Sequence, residues 1–246
     1  MIGNYKDHAA VWDWDGFDES KEYEFWCDWA LKYGKKVLVP MCALGEKSAY
    51  MAEHGFNVTA FDITAEMVNE GNKRFGKINN LKILCGDIRN FQFKIDPVDF
   101  VFIKWDLNHL LNINDIKNAF ISINKHMRNG GCFIIEMELP SKEPYSWPRE
   151  TYYPRERKHM DKKIWKTGEG YYDIKTKRKY ISQTVFVEDD KGTRSFEHNF
   201  YLQLYEREVI INLLTECKFL IKNEYCDHNF NEYDGGGYLI IEGIKI

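Results

Sequence analysis

Asp62 is the residue in this sequence whose position says most about chemistry. It closes the run Asn57-Val58-Thr59-Ala60-Phe61, about 20 residues after a loop that itself follows the apolar run Lys36 to Pro40. In doubly wound sheets ligands sit beyond the carboxyl ends of the strands, beside the first strand, and an acid there accepts hydrogen bonds from both hydroxyls of a ribose. The alternative role is a helix cap, because a helical pattern begins near Ala65 with Thr64 as N-cap. Gly86-Asp87 is equally common turn chemistry. Trp105 and Asp106 follow a strand, where a pocket floor is expected, and Asn108-His109 come next. His109 has the side chain for a general base, since an imidazole titrates near 6.5, although a lone histidine is more often structural. His198, in Glu197-His198-Asn199, either touches a substrate or pairs across strands.

These residues need a scaffold, and the patterning supplies one. Strands alternate with helical segments through the first 140 residues, which specifies βαβ units and a parallel sheet. Strands are expected at Lys36–Pro40, Asn57–Phe61, Leu81–Cys85, Val98–Ile103 and Cys132–Met137. Helices are expected over Glu46–His54 and Ala65–Phe75, and over a segment carrying Ile116, Phe120, Ile123 and Met127 on one face that stops at Asn129-Gly130-Gly131. From Leu139 to about Arg194 the composition shifts toward Pro, Tyr, Trp, Lys and Arg, with turn signals at Lys175-Thr176-Lys177 and Asp189-Asp190-Lys191-Gly192. A helix from Glu206 to Cys217 and two closing strands complete the chain. The expectation is a single domain over residues 1–246, with an N-terminal helical lid over 1–35 and a β-rich cap or dimerisation insertion over 140–200.

In order and spacing these segments resemble class I S-adenosylmethionine-dependent methyltransferases. Val37-Leu38-Val39-Pro40-Met41-Cys42-Ala43-Leu44-Gly45 is similar to the family's first motif, and its Pro-Met-Cys wording is closer to the thiopurine methyltransferases. His54 to Met67 is similar to its second strand and continuation, and Cys85-Gly86-Asp87-Ile88-Arg89 to the segment that holds the adenine. Phe102 to Leu111 resembles small-molecule members, in particular sugar-amine N-methyltransferases. The resemblance implies a Rossmann-like α/β fold of parallel strands with an antiparallel last strand, S-adenosyl-L-methionine as cofactor, and a small-molecule methyl acceptor. It places Pro40, Met41, Cys42, Gly45, Asp62, Ile63, Met67, Asp87, Ile88 and Trp105 around the cofactor. Trp12, Trp14 and Asn108 fall on the acceptor side, and His109, Tyr5 and His198 are the candidates for catalysis. One departure stands out: Val39 occupies the position of the usual acid, and Met41 and Ala43 those of two usual glycines. That departure motivates the alternative of a non-catalytic binding or regulatory protein.

Bulk properties agree with an enzyme acting on small molecules. The net charge of −4 disfavours a nucleic-acid partner, which needs a basic face. No apolar run reaches the ~20 residues that span a bilayer, and the first residues lack a signal-peptide pattern. Six scattered cysteines without a CxxC pair read as reduced thiols of a cytoplasmic protein, with no metal site. The basic stretch from Trp147 to Lys166 is read as a solvated face or lid before an anion-binding site. The expected state is a monomer or homodimer.

Overall fold

The computed structural model describes residues 5–9, 20–152 and 163–246. A short helix α1 (Tyr5–His8) and a longer one, α2 (Ser20–Leu31), precede the sheet. The chain then alternates through β1 (Lys36–Pro40), α3 (Glu46–Glu53), β2 (Asn57–Asp62), α4 (Ala65–Phe75), β3 (Leu81–Cys85) and β4 (Val98–Lys104). A 3-10 turn over Asp106–His109 leads to α5 (Ile113–His126) and β5 (Met127–Glu138). Next come four long strands, β6 (Tyr145–Tyr152), β7 (Lys163–Asp173), β8 (Arg178–Asp189) and β9 (Gly192–Gln203), followed by α6 (Arg207–Glu216), β10 (Phe219–Tyr225) and β11 (Tyr238–Lys245).

The main sheet has the order β10-β11-β5-β4-β1-β2-β3, and only β11 runs antiparallel to its neighbours. The chain order reverses between β1 and β4, which places the ligand crevice beyond the ends of those two strands. Strand residues alternate between two cores. Leu38, Val101, Ile103, Phe133 and Ile135 meet α5 and α6, while Val37, Val39, Phe100, Phe102 and Ile134 meet α2 and α3. Burial on both faces is why these strands read as unbroken apolar runs. Much of the aromatic content is spent here: Trp26 and Trp29 of α2 are fully buried, and Trp26 stacks on Phe102 with ring centroids 4.5 Å apart.

The fifth strand starts earlier than the sequence implies. The helix ends at His126 and the strand runs from Met127 through Asn129-Gly130-Gly131. Pairing jumps from Val98↔Met127 to Phe100↔Cys132, so the glycines form a bulge rather than a free loop. Gly130 takes a positive φ of 74°, and the Arg128 Nε bond to Asp99 (2.6 Å) fastens the bulge to β4.

The second sheet, β6-β7-β8-β9, is antiparallel throughout, with turns at the two places the sequence marks. Its strand β9 reaches the Asp106–His109 turn and α1. Asn108 makes the joint: its buried amide donates to the carbonyls of Glu138 (3.3 Å) and Gln203 (2.9 Å) and accepts from the Glu138 N–H (3.3 Å).

Candidate active site

The loop after β1 turns twice through the left-handed region, at Met41 (φ 54°) and Ala43 (φ 49°), before Gly45 (φ 86°) opens α3. A side chain in that region costs roughly 1–2 kcal/mol per residue. The loop thus keeps the shape glycines would give it and tolerates the strain. Its closeness to α4 depends on Gly71, where a Cβ would lie 2.2 Å from the Leu44 carbonyl oxygen. Gly45 is not among the described residues that line the two cavities below; its role is the turn itself.

The folded loop delivers the Ala43 N–H to Oδ2 of Asp62 at 2.9 Å, and the Thr64 N–H meets Oδ1 at 2.9 Å. Burial pushes the Asp62 carboxyl above its ordinary range, while the Thr64 and Ala43 hydrogen bonds oppose that shift and hold the group in orientation. The Thr64 side chain and the Ile63 backbone add further hydrogen bonding to the same carboxylate, so its orientation is strongly fixed.

Asp62 forms part of the wall of a cavity of about 310 Å³, with Met41, Ile63, Met67, Asp87 and Ile88 also lining it. Asp87 is held by Arg89, whose Nε lies 2.9 and 3.0 Å from its two oxygens and whose terminal nitrogen is 2.5 Å from Oδ2. Those bonds keep its carboxyl below the usual range. Arg89 also reaches Asp115 at 3.2 Å, tying the β3 loop to the first turn of α5.

A second cavity of about 210 Å³ lies on the other side of the loop, lined by Pro40, Cys42, Lys47, Ser48 and Trp105 among others. The Ser48 hydroxyl is buried and finds no hydrogen-bond partner among the described residues. Such a group is costly to leave unsatisfied and fits a polar ligand end. Trp105 takes a positive φ of 63°, with its ring 5.2 Å from that of Tyr238. Burial raises the Cys42 thiol well above its ordinary value, so it stays protonated.

His109 lines the first cavity, 5.4 Å from Phe200 by ring centroid. His198 packs 4.9 Å from the same Phe200 and 4.7 Å from His8. Burial, with His198 nearby, pushes His109 down to about 4 and His8 down to about 3. Both imidazoles are therefore neutral at physiological pH. Tyr5 begins α1, and Trp12 and Trp14 lie outside the described residues. In the basic stretch, Arg149 is engaged within its own sheet by Thr167 (3.0 Å) and Glu169 (2.8 Å).

The cavities include residues that sequence reasoning did not select. Ala43 and Thr64 contribute backbone N–H groups, which no residue type announces. Arg89 and Asp115 are joined only by the fold. Tyr201 enters the first cavity from β9, more than ninety positions beyond His109. Asp106, expected with Trp105 at a pocket floor, lines both cavities.

Comparison with known proteins agrees with this geometry. Residues 37–131 match the family described as "Methyltransferase domain". The chain is 22% identical over 232 residues to the "Putative methyltransferase YqeM" of Bacillus subtilis, covering 93% of this chain and 91% of the relative. It superimposes on an S-adenosylmethionine-dependent methyltransferase of Clostridium acetobutylicum with a TM-score of 0.77 and 17% identity, covering 98% of each chain. On the sugar N-methyltransferase KedS8 of a Streptoalloteichus species the TM-score is 0.78 at 14% identity, covering 100% of this chain and 94% of that one. Residues 37–131 thus match a methyltransferase-domain family, and the chain that carries them has the class I, S-adenosylmethionine-dependent methyltransferase fold.

Proposed function

We propose that this chain transfers the methyl group of S-adenosylmethionine to a nitrogen or oxygen of a small metabolite, and that its site favours nitrogen. The observation that carries the reading is the Asp62 carboxylate, fixed by the Ala43 and Thr64 N–H groups at the end of β2 in the wall of a cavity of nucleoside size. Asp62 would hold the ribose, Ile63 and Ile88 would supply apolar surface to the base, and Ser48 would meet a polar group of the amino-acid end. When bound, the donor supplies an activated methyl on a positively charged sulfur. The left-handed conformations of Met41 and Ala43 count against the non-catalytic alternative, because the loop retains its shape without its glycines.

The chain's own residues then have to align the acceptor and exclude water, and such orientation is worth ~7–11 kcal/mol in favourable cases. His109 is neutral and can accept a hydrogen bond from the incoming nucleophile. Held near 4, it is a weak base at pH 7, which suits an amine that arrives already deprotonated better than an alcohol that needs its proton removed. The structural likeness to a sugar N-methyltransferase supports the same choice. Calorimetric titration with S-adenosylmethionine, S-adenosylhomocysteine and NAD tests the reading. Micromolar binding of the two sulfur nucleosides with NAD silent is expected; binding of NAD alone would reverse the assignment.

A further inference from the structure

Three described residues line both cavities: Met41, Ala43 and Asp106. They mark the passage between the nucleoside side, identified by Asp62, and the side where Ser48 waits for a polar end. A ligand that spans both, as the proposed function requires, must place its central atom at that passage. For the methyl donor the central atom is the sulfonium sulfur. Of the three residues only Asp106 is ionisable.

We infer that Asp106 is the carboxylate facing the sulfonium, and that it makes this site distinguish the charged methyl donor from the neutral thioether product. The inference rests on the donor-site reading above. Residues 41–45 of the first loop carry no carboxylate and the buried Val39 stands where related loops carry an acid, while Glu46 at the start of α3 lines the second cavity and not the passage shared by both. The chain supplies one from β4 instead. Trp105 donates its N–H to the Glu136 carbonyl (2.8 Å) and takes a left-handed conformation, and the turn that follows carries Asp106 back over the strand end.

The charged and titratable neighbours of Asp106 are Lys47 on α3, Asp62 at the end of β2, Lys104 on β4, Glu136 on β5 and Cys42 in the first loop. The cavities it lines also hold Tyr23 of α2, Glu46 of α3, His109 of its own turn, and Asp87, Arg89 and Asp115 on the nucleoside side. Lys104 is itself paired with Glu22 of α2. Burial pushes the Asp106 carboxyl up to about 7; Lys47 and Lys104 oppose the rise, and Asp62 and Glu136 add to it. In the free protein at neutral pH the group is therefore about half protonated. A cation brought to the passage favours the ionised form, so a proton leaves to solvent on donor binding. Once the sulfur is neutral the counter-charge is gone, a proton returns, and the product is held less firmly.

The test is calorimetric titration of the full chain with S-adenosylmethionine, with sinefungin, which carries an ammonium in place of the sulfonium, and with S-adenosylhomocysteine. Running it at pH 7 in two buffers of different ionisation enthalpy counts the protons released. Release of a fraction of a proton is expected with the two cations and none with the thioether. Asp106→Asn should weaken both cationic ligands at least tenfold, change S-adenosylhomocysteine less than threefold, and abolish the release. Equal losses on all three ligands, or equal proton release by all three from the unmodified protein, would overturn the inference while leaving the donor site standing. The second readout needs no variant and so survives a substitution that fails to fold. An unmodified protein that binds none of the three overturns the donor site and this inference together.

Discussion

The Ala43 amide and the Asp62 carboxylate, nineteen positions apart, meet at 2.9 Å because Ala43 accepts a left-handed backbone. That contact converts an irregular loop into a fixed wall of the first cavity. Methyl is the smallest side chain that bears a Cβ, and a β-branched one would raise the cost of that conformation further. Ala43→Val should therefore lower S-adenosylhomocysteine affinity tenfold or more and stability by about 1–2 kcal/mol. Ala43→Gly should keep both. Titration of the two variants with S-adenosylhomocysteine, beside their urea melts, checks this; a valine variant binding like the parent would show that the loop does not shape the site.

Asp62 orients backbone and, in the proposed function, receives the ligand. Asp62→Ala should weaken cofactor binding at least tenfold and leave the fold intact, at a stability cost of about 1–3 kcal/mol for the stranded N–H groups. Unchanged affinity by calorimetry would remove it from the ribose.

His109 lines the cavity from the turn after β4, and its proposed part is toward the nucleophile, so its loss should separate turnover from donor binding. His109→Gln should reduce turnover with an accepted amine about tenfold or more. S-adenosylhomocysteine affinity should stay within about twofold, a ratio no greater than ~0.4 kcal/mol. Equal turnover in the variant would exclude a part in the reaction.

The parallel sheet was legible because each of its buried strands is an apolar run ending where the ligand side begins. Asp62, Asp87 and Trp105 could be located from those ends alone. Boundaries set by pairing were less so: Gly130-Gly131 signals a stop in either a loop or a bulge, and only the partner strand decides. The site was legible where one segment builds it and opaque where several do. His8, His109 and His198 belong to three distant segments, and nothing in their spacing announces that they share one buried region. Asn108 looked like a ligand residue for the same reason that it works as a joint: a buried amide with both donors and acceptors serves either use.

Those buried groups make stability depend on pH with a sign that can be worked out. His8 and His109 are held at about 3 and 4 against 6.5 when unfolded, so their contribution is complete above pH 6.5 and is lost as pH falls toward the folded values. Asp106 acts oppositely: held at about 7 against an ordinary 3.8, it contributes at low pH and loses that contribution as pH rises through 7. Between pH 6.5 and 5 the unfolding uptake at the two histidines therefore rises from about one proton toward two, against a release of about one at Asp106. The net uptake approaches one proton, a loss of at most about 1.4 kcal/mol for each pH unit of acidification. Thermal melts across that interval should fall with pH in the parent, fall more steeply in Asp106→Asn, and flatten in His8→Gln. A parent that grew more stable on acidification would mean that the two histidines are not held neutral in the folded protein.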